Sequence, residues 1–570
     1  MTFRHWRRAR QAVQALSFLA FTLAVILTLR DAPATLSAAT MMRLDPLAAS
    51  TAMIAARRWL PRLAPAFLLL GLSLVVGRAW CGWLCPLGTL SDWFAPTRRR
   101  SPSPPALAPE YWGSPRSTGA REPAHAAADL PPLPVLGERT GAREPARAVA
   151  DLLPLPVLGE NPSTLGRGPG VRGSAARGAK YGLLFVIAFA ALWGNLTLLV
   201  LDPLTLFIRG IATLALPGLT WFVTQAETAL YRVAPLRGAL LAFDRALRGT
   251  VLSYEQPFYG GLLLAALLGG ILAFGLVARR AWCRYLCPLG GLYSLTARAS
   301  WLKRRVSDAC VACGACARAC SMATIDPAKG YTSDSGECIL CLDCADACPK
   351  GAITFEGSWS VDRGYAYDPS RRQALGALGI SLAGLALLKI APSSHHPDAH
   401  RLRPPGADEA QLLAACVRCG ACLRVCPTHG LQPSLTEAGL EGLWTPILVP
   451  RLGACDYSCT ACGEACPTGA IPPLVLDAKR LTAIGKAYVD PARCIPWSGR
   501  AECIVCEEMC PLPQKAITLE IVRAEDVTGA VRELQAPVVD HERCIGCGMC
   551  ENMCPVNGEA AIRVIVDPMG

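Results

Sequence analysis

Cysteine is the residue type that most constrains this chain. Of its 28 cysteines, 24 fall into six groups of four with nearly regular spacing, and the other four form two copies of a second motif. Disulfide scaffolds are short and secreted, with variable cysteine spacing, whereas this chain has 570 residues and no cysteine outside the two patterns. The pattern therefore favours thiolates that bind metal over thiols that pair as disulfides.

The first two groups lie close together within residues 300–366. They read Cys310-x2-Cys313-x2-Cys316-x3-Cys320 and Cys338-x2-Cys341-x2-Cys344-x3-Cys348-Pro349. In bacterial [4Fe–4S] sites with this spacing, three close thiolates hold one cluster and the fourth holds its neighbour. We therefore expect two sets of ligands, one being Cys310, Cys313, Cys316 and Cys348, the other Cys338, Cys341, Cys344 and Cys320. Structural zinc is the alternative for four cysteines, but eight cysteines in this spacing disfavour it.

Four further groups lie within residues 410–570. They are Cys416-x2-Cys419-x2-Cys422-x3-Cys426, Cys455-x3-Cys459-x2-Cys462-x3-Cys466, Cys494-x8-Cys503-x2-Cys506-x3-Cys510 and Cys544-x2-Cys547-x2-Cys550-x3-Cys554, each followed by proline. The longer spacings that open the second and third groups change the local loop but keep four ligands. The sequence does not fix which groups share ligands, and a nested arrangement is favoured, first with fourth and second with third. Short apolar strands such as 516–519 and 561–564 are typical of ferredoxin-like α+β modules, and the chain is expected to hold six [4Fe–4S] clusters.

The remaining four cysteines belong to an internal duplication. Residues 78–88 read RAWCGWLCPLG, and residues 280–290 read RAWCRYLCPLG. On a helix, a Cys-x3-Cys pair places both sulfurs on one face. Three roles stay open: redox-active thiols, a shared metal site, or buried structural thiols; the repeated motif favours a functional role for Cys81, Cys85, Cys283 and Cys287.

Hydropathy indicates an integral membrane protein. Hydrophobic residues make up 52% of the chain and charged residues 18%, with a mean hydropathy of +0.32, which leaves little charged surface for a soluble protein of this size. Four stretches are candidate membrane helices, at 13–29, 60–80, 181–201 and 258–277. The apolar stretch 203–225 is expected to be interfacial or re-entrant, because both copies of the duplicated motif should face the same side of the membrane.

Charge and histidine content exclude other classes. The net charge of +12 comes with arginines that flank the apolar segments, as the positive-inside rule predicts, so nucleic-acid binding is not indicated. None of the seven histidines lies in an apolar segment and no Cys-x-x-Cys-His occurs, so no haem is expected.

The composition divides the chain into six parts. These are membrane helices at 1–97, a linker at 98–178, membrane helices at 179–299, a two-cluster module at 300–366, an anchor segment at 367–409 and a four-cluster module at 410–570. The linker contains a tandem repeat, 118–139 and 140–161, whose proline content indicates a disordered insertion without catalytic importance. Arg371 and Arg372 precede an apolar, glycine-rich run, which resembles a twin-arginine export signal or a basic flank of a membrane helix.

These motifs together resemble a known pair of proteins. Residues 1–366 are similar to NapH-type membrane ferredoxins, with four helices, two Cys-x3-Cys-Pro motifs and two clusters. Residues 370–570 resemble NapG-type four-cluster ferredoxins, including those of methylamine utilisation, most clearly in the sequence CIPWSG that begins at Cys494. The resemblance implies a fused quinol dehydrogenase in the cytoplasmic membrane that feeds a periplasmic reductase of the nitrate-reductase type.

The expected fold is a bundle of four membrane helices plus an anchor helix, with two bacterial-ferredoxin-like α+β modules. Residues 300–366 should be cytoplasmic and 410–570 periplasmic, with the quinol pool and a periplasmic reductase or cytochrome as partners. Asn195 and Asp202 are candidates for a polar group near the quinone, although a helix cap is the favoured interpretation. Metal reduction, redox cofactor maturation and cluster-based sensing are the rival functions.

Overall fold

The computed structural model describes residues 3–28, 37–95, 172–248, 251–252, 258–359, 401–435, 437–525, 529 and 531–566, with short pieces between 375 and 386. The chain divides into two units, one formed by 1–96 and 170–570 and the other by 97–169. Both copies of the tandem repeat, together with Arg371 and Arg372, lie outside the described residues.

Four long helices form the centre of the described part. They run Phe3–Ile26, Pro65–Val76, Arg172–Leu192 and Gly261–Val277. The third begins inside the segment interpreted as linker and ends well before residue 201, so both of its predicted bounds are wrong. Its C-terminal part is replaced by a 3-10 helix, Thr197–Leu201.

The duplicated motif breaks the helices that carry it. Short helices Ala79–Trp83 and Pro86–Trp93 form the first copy, and Ala281–Tyr285 and Pro288–Ala297 form the second. Cys85 and Cys287 are extended because each precedes a proline, which disfavours helical backbone at the residue before it. The expectation that each cysteine pair shares one helix face is therefore wrong.

Further helices lie in the chain segments that connect the four long ones. They are Ala38–Met42, Pro46–Ala56, Pro203–Gly210 and Leu216–Leu230, the last two joined by a π-helical turn Ile211–Ala215, followed by Arg237–Leu247. The stretch expected at 203–225 is thus one continuous helical segment that extends to Leu230.

Within the described residues, two helical segments, His5–Ile26 and Pro203–Leu230, have the length and apolar composition needed to cross a membrane. Pro61–Val76 and Gly261–Val277 are apolar but shorter. Length and composition alone therefore do not establish a bundle of four membrane helices.

Residues 300–359, the first module, contact one end of the four long helices. Arg10, near the start of the first helix, donates a hydrogen bond to Asp343 at 3.0 Å. Arg78, just after the second, pairs with Glu337 at 2.8 Å, and Lys180 in the first turns of the third pairs with the same carboxylate. The first and third helices thus begin at the end of the bundle that contacts the first module, and the second helix ends there.

Residues 401–566, the second module, contact the opposite end. Four hydrogen bonds show this: Arg424 Nη2 to Ile26 O at 3.3 Å, Arg62 Nη1 to Cys466 O at 3.5 Å, Thr197 Oγ1 to Glu441 O at 3.1 Å and Tyr259 N to Gln432 Oε1 at 3.1 Å. These residues end the first and third helices and precede the second and fourth. The long helices therefore alternate in direction between the two modules.

Both modules are built from two-stranded antiparallel sheets and short helices. In the first, Leu302–Val306 pairs with Ile353–Gly357, and Ile325–Asp326 with Thr332–Ser333. In the second the pairs are Leu431–Pro433 with Pro446–Leu448, Lys486–Val489 with Ile562–Ile565, and Ile517–Glu525 with Val531–Val539. The helices are Ala315–Ala319, Asp343–Asp346, Glu409–Ala415, Ala421–Val425, Ala461–Glu464, Leu476–Leu481, Val505–Glu508 and Met549–Met553.

Candidate iron–sulfur and thiol sites

In the first module, the two groups of four cysteines exchange their last members, as expected: Cys348 joins the first group and Cys320 joins the second. One pocket is lined by Cys310, Cys313, Cys316 and Cys348. The other set gathers in the same way, because Cys320 is an electrostatic neighbour of Cys338, Cys341 and Cys344.

A local turn places the third cysteine of several groups. Gly314, Gly420 and Gly548 have φ between 70° and 80° and cap the short helices that carry Cys316, Cys422 and Cys550. Glycine adopts this left-handed conformation without the clash of a Cβ atom. Leu342 takes the same conformation, with φ of 63°, before the helix that carries Cys344.

In the second module, groups of four cysteines that are neighbours in sequence exchange their last cysteine. One pocket is lined by Cys416, Cys419, Cys422 and Cys466. A second pocket is lined by Cys494, Cys503, Cys506 and Cys554. The remaining thiols gather as Cys455, Cys459, Cys462 and Cys426 and as Cys544, Cys547, Cys550 and Cys510. The first group therefore pairs with the second and the third with the fourth.

The nested arrangement favoured from the sequence is wrong. The cause is local chain geometry, since the hairpin of Leu431–Pro433 and Pro446–Leu448 returns the chain so that the second group packs against the first. Contacts between the pairs are also present, because Cys455 N donates to Cys547 O at 2.8 Å. The four ligand sets are thus arranged in the order of the sets that contain Cys416, Cys455, Cys547 and Cys494, and the set of Cys416 lies beside the long helices.

The thiol sets fit [4Fe–4S] clusters by their donor chemistry. Backbone N–H groups point at several sulfurs, as in Ala487 N to Cys544 Sγ at 3.4 Å and Ala561 N to Cys554 Sγ at 3.4 Å, and such contacts stabilise cluster thiolates. Burial raises the pKa of Cys419 and of Cys338 to about 12, so both thiols stay protonated at neutral pH unless bound metal compensates the charge. In the described residues no three His, Cys, Asp or Glu side chains are placed to share a single metal ion.

The four cysteines of the duplication converge inside the bundle. Cys81, Cys85, Cys283 and Cys287 are all buried, and Cys287 has the other three as electrostatic neighbours. Arg280 Nη1 donates to Cys81 O at 2.8 Å and its Nη2 pairs with Asp92 at 2.6 Å. A single thiol site thus forms from both copies of the motif.

This thiol site adjoins the first module directly. Gly82 lies against the loop between Cys338 and Cys341, because a Cβ at this position would stand 2.2 Å from Ile339 O. Trp83 Nε1 donates to Leu340 O in the same loop at 2.9 Å.

Glu337 holds the first module to the bundle. Burial alone would raise its pKa, but Arg78 and Lys180 outweigh that effect and lower the pKa below the ordinary glutamate value. The carboxylate is therefore ionised and paired with two buried cations.

The two candidate quinone residues accept hydrogen bonds from backbone N–H groups. Asn195 Oδ1 accepts from Thr197 N at 2.9 Å, and Asp202 Oδ2 accepts from Thr205 N at 2.8 Å. The favoured cap interpretation is confirmed for Asp202, which caps Pro203–Gly210. Asn195 instead lies one residue before Leu196, the residue that caps Thr197–Leu201 without a side-chain hydrogen bond. Sequence reasoning missed Asp45, which caps Pro46–Ala56 in the same way as Asp202, although the repeated sequence Leu-Asp-Pro-Leu at 44–47 and 201–204 could have signalled it.

Comparison with known proteins supports cluster binding. Residues 59–104 and 260–307, which include both copies of the duplicated motif, match one family model described as a 4Fe-4S binding domain, and residues 331–354 and 537–558 match a second with the same description. No solved structure matches the chain.

Curated relatives cover about a third of the chain. The methylamine utilization ferredoxin-type protein MauM of Methylorubrum extorquens is 40% identical over 35% of this chain and 91% of its own length. The ferredoxin-type protein NapG of Escherichia coli is 34% identical over 34% of this chain and 85% of its own. MauN of Paracoccus denitrificans, also named for methylamine utilization, is 44% identical over 15% of this chain and 34% of its own length. This chain belongs to the family of ferredoxin-type [4Fe–4S] electron-transfer proteins that contains MauM and NapG.

Proposed function

We propose that this chain is a quinol dehydrogenase-type protein of the cytoplasmic membrane that delivers electrons to a redox enzyme outside it. One observation carries the proposal: the two thiol-rich modules contact opposite ends of the same four helices, and four buried cysteines lie within that bundle. Electron transfer across a membrane requires redox groups on both faces and in between, and this is the arrangement that the thiols adopt.

The surface of the bundle supports a membrane location. Large apolar side chains are exposed on three of the long helices, among them Leu16, Leu19, Leu68, Leu72, Leu262 and Leu276. Exposed apolar surface of this extent favours contact with lipid. The alternating helix directions support locations on opposite sides for the two modules, and we propose that residues 300–366 lie in the cytoplasm and residues 410–570 outside, with the segment 367–409 as the connecting anchor.

The segment Pro203–Leu230 is proposed to be re-entrant. It begins at Asp202, which is fully buried, and Arg209 within it donates to Arg418 O of the second module at 3.3 Å. Both Arg209 and Gly420 lie at the end of the bundle that faces the second module. Thr197, which precedes Asp202, also contacts this module through Glu441 O at 3.1 Å. The chain thus meets the second module both before and after Asp202, which supports a re-entrant path.

Six [4Fe–4S] clusters are proposed, one for each set of four thiols described above. When bound, they supply one-electron transfer, which suits the stepwise oxidation of a two-electron donor such as quinol. The chain itself holds the thiols in place, and surrounds those of the second module nearest the bundle, Cys416 and Cys419, with apolar residues and the buried Arg418.

Cys81, Cys85, Cys283 and Cys287 are proposed as redox thiols at the site of electron uptake. They lie next to the loop of Cys338 and Cys341 on one side and inside the lipid-facing bundle on the other. Oxidation of quinol also releases two protons, so a proton acceptor is required near the site.

A second candidate function is redox maturation in methylamine utilisation. The names of MauM and MauN favour it, since both refer to that process. In this case the external partner is a methylamine dehydrogenase system instead of a nitrate-reductase-type enzyme. Copper reduction is less favoured because it requires no second module with four thiol sets.

Replacement of one thiol tests electron uptake. In full-length protein in lipid nanodiscs, we expect a menaquinol analogue to bleach the cluster absorbance of the wild type but not of Cys283→Ser, while dithionite bleaches both. Ser91→Ala removes a buried hydroxyl from Pro86–Trp93, the helix that follows Cys85; it is the matched control and should behave as wild type. Reduction of Cys283→Ser by quinol at the wild-type rate would show that these cysteines are structural.

A further inference from the structure

The bundle contains a second duplicated element, built on aspartate. Leu-Asp-Pro-Leu occurs at 44–47 and at 201–204. In both copies the aspartate caps a helix whose first residue is the proline, namely Pro46–Ala56 and Pro203–Gly210. Asp45 Oδ1 accepts from Leu47 N at 2.8 Å, and Asp202 Oδ2 accepts from Thr205 N at 2.8 Å.

The two aspartates meet in the interior. Both are 0% exposed, and their side chains contact each other within hydrogen-bonding reach. The second oxygen of each, Asp45 Oδ2 and Asp202 Oδ1, has no other partner among the described residues. Two buried carboxylates in contact cannot both be ionised at low cost, whereas a pair that shares one proton forms a hydrogen bond. The N-termini of the two helices stabilise the single remaining charge.

The Tyr293 hydroxyl is a further buried polar group near the Asp45–Asp202 pair. Tyr293 is 0% exposed, and its hydroxyl has no hydrogen-bond partner in the part of the chain that the structure describes. Its electrostatic neighbours are Asp45 and Asp202 together with Cys81 and Cys85.

Arg209 is a cation near the aspartate pair, on the side of the second module. Arg209 has Arg418, Cys419 and Asp202 as electrostatic neighbours, and its Nη1 donates to Arg418 O of the second module at 3.3 Å. The carboxyl pair is thus bounded by Tyr293 and the bundle cysteines towards the first module, and by Arg209 towards the second.

We propose that Asp45 and Asp202 form a proton-binding site that takes up one proton when the neighbouring cysteine site gains negative charge. In its oxidised form the cysteine site holds one disulfide between two of its four sulfurs, and two electrons from quinol break this S–S bond. Of the two protons that quinol releases, one protonates one of the two resulting thiolates and the other converts the ionised carboxylate of the pair into a carboxylic acid. The cysteine site thus gains one negative charge and the aspartate pair goes from one bound proton to two; in the experiment an electrode supplies the electrons and water the protons. The inference rests on the proposed redox role of these cysteines and supplies the proton acceptor that quinol oxidation requires.

Infrared difference spectra of the full-length protein, recorded on reduction at an electrode, test the site. The wild type should gain a carboxylic acid C=O band that shifts in D2O, and both Asp45→Asn and Asp202→Asn should lose it. Asparagine is an equally good helix cap, so the helices should still begin in place. Asp408→Asn, which changes an exposed cap in the second module, should keep the full band.

Further readouts separate the possible failures. Electron paramagnetic resonance of the same samples reports whether the clusters, and so the fold, are intact. Tyr293→Phe should keep the band but shift its frequency, and an unchanged frequency would contradict a role for Tyr293. If quinol fails to reduce the wild type while the band appears, the proposed function falls and the proton site stands. A wild type without the band, or a band that persists in both aspartate variants, would overturn the proposal.

Discussion

Gly82 shows how a single residue position joins the bundle to the first module. It lies between Cys81 and Cys85, and its missing side chain lets the loop of Ile339 approach. In the second copy of the motif the equivalent residue is Arg284, which has Tyr285, Arg177 and Cys320 as electrostatic neighbours. The duplication is therefore symmetric in its cysteines but not in its contacts, because one copy faces the module loop.

Gly82→Ala should weaken this junction. The added methyl group would overlap the carbonyl of Ile339, and overpacking of this kind costs about 1–3 kcal/mol. We expect cluster absorbance to be lost at a lower temperature than in the wild type. Gly71→Ala, in the helix Pro65–Val76 with no atom near its Cβ position, should leave that temperature unchanged or raise it. If both variants lost cluster absorbance at the same temperature, the close approach at Gly82 would not contribute to stability.

At the scale of elements, the sequence predicts features set by a single motif, but it does not predict contacts between segments that are distant in sequence. The cysteine spacing correctly predicts that Cys348 joins the set of Cys310, because the fourth cysteine is set by its own motif. It does not predict that Cys466 joins Cys416, since this depends on the course of the intervening hairpin. Proline before a helix, as at Pro86, overrides the helical spacing of Cys81 and Cys85.

Hydropathy similarly finds apolar segments but not their paths. The helix Pro203–Leu230 has the composition of a membrane span, yet Arg209 binds the module at the end of the bundle where the segment begins. The proximity of Asp45 and Asp202 likewise depends on two segments that are distant in sequence.

Reporter fusions test the path of these elements. We expect fusions after residues 232 and 410 to report the outside and a fusion after residue 366 to report the cytoplasm. The reason is that a re-entrant Pro203–Leu230 leaves residue 232 on the side of the second module. A cytoplasmic signal at residue 232 would mean that this helix crosses, and matching signals at 366 and 410 would mean that the anchor segment does not.

At the scale of the whole molecule, six sets of thiols and one buried thiol site are divided among the two modules and the bundle between them. The first module supplies two sets, the bundle supplies the four duplicated cysteines, and the second module supplies four sets that follow one another. Similarity to MauM and NapG covers about a third of the chain, so the combination with a helical bundle and a first module is a property of this longer chain.

Quantitation of iron and acid-labile sulfide after anaerobic purification tests the central claim most directly. The account predicts about 24 Fe and about 24 sulfide per chain, four of each for every thiol set. The Cys466→Ser variant, which removes one ligand from one set, should lose about four of each and serves as the calibration. Zinc in place of iron, or a wild-type value near half of that predicted, would contradict the six-cluster account.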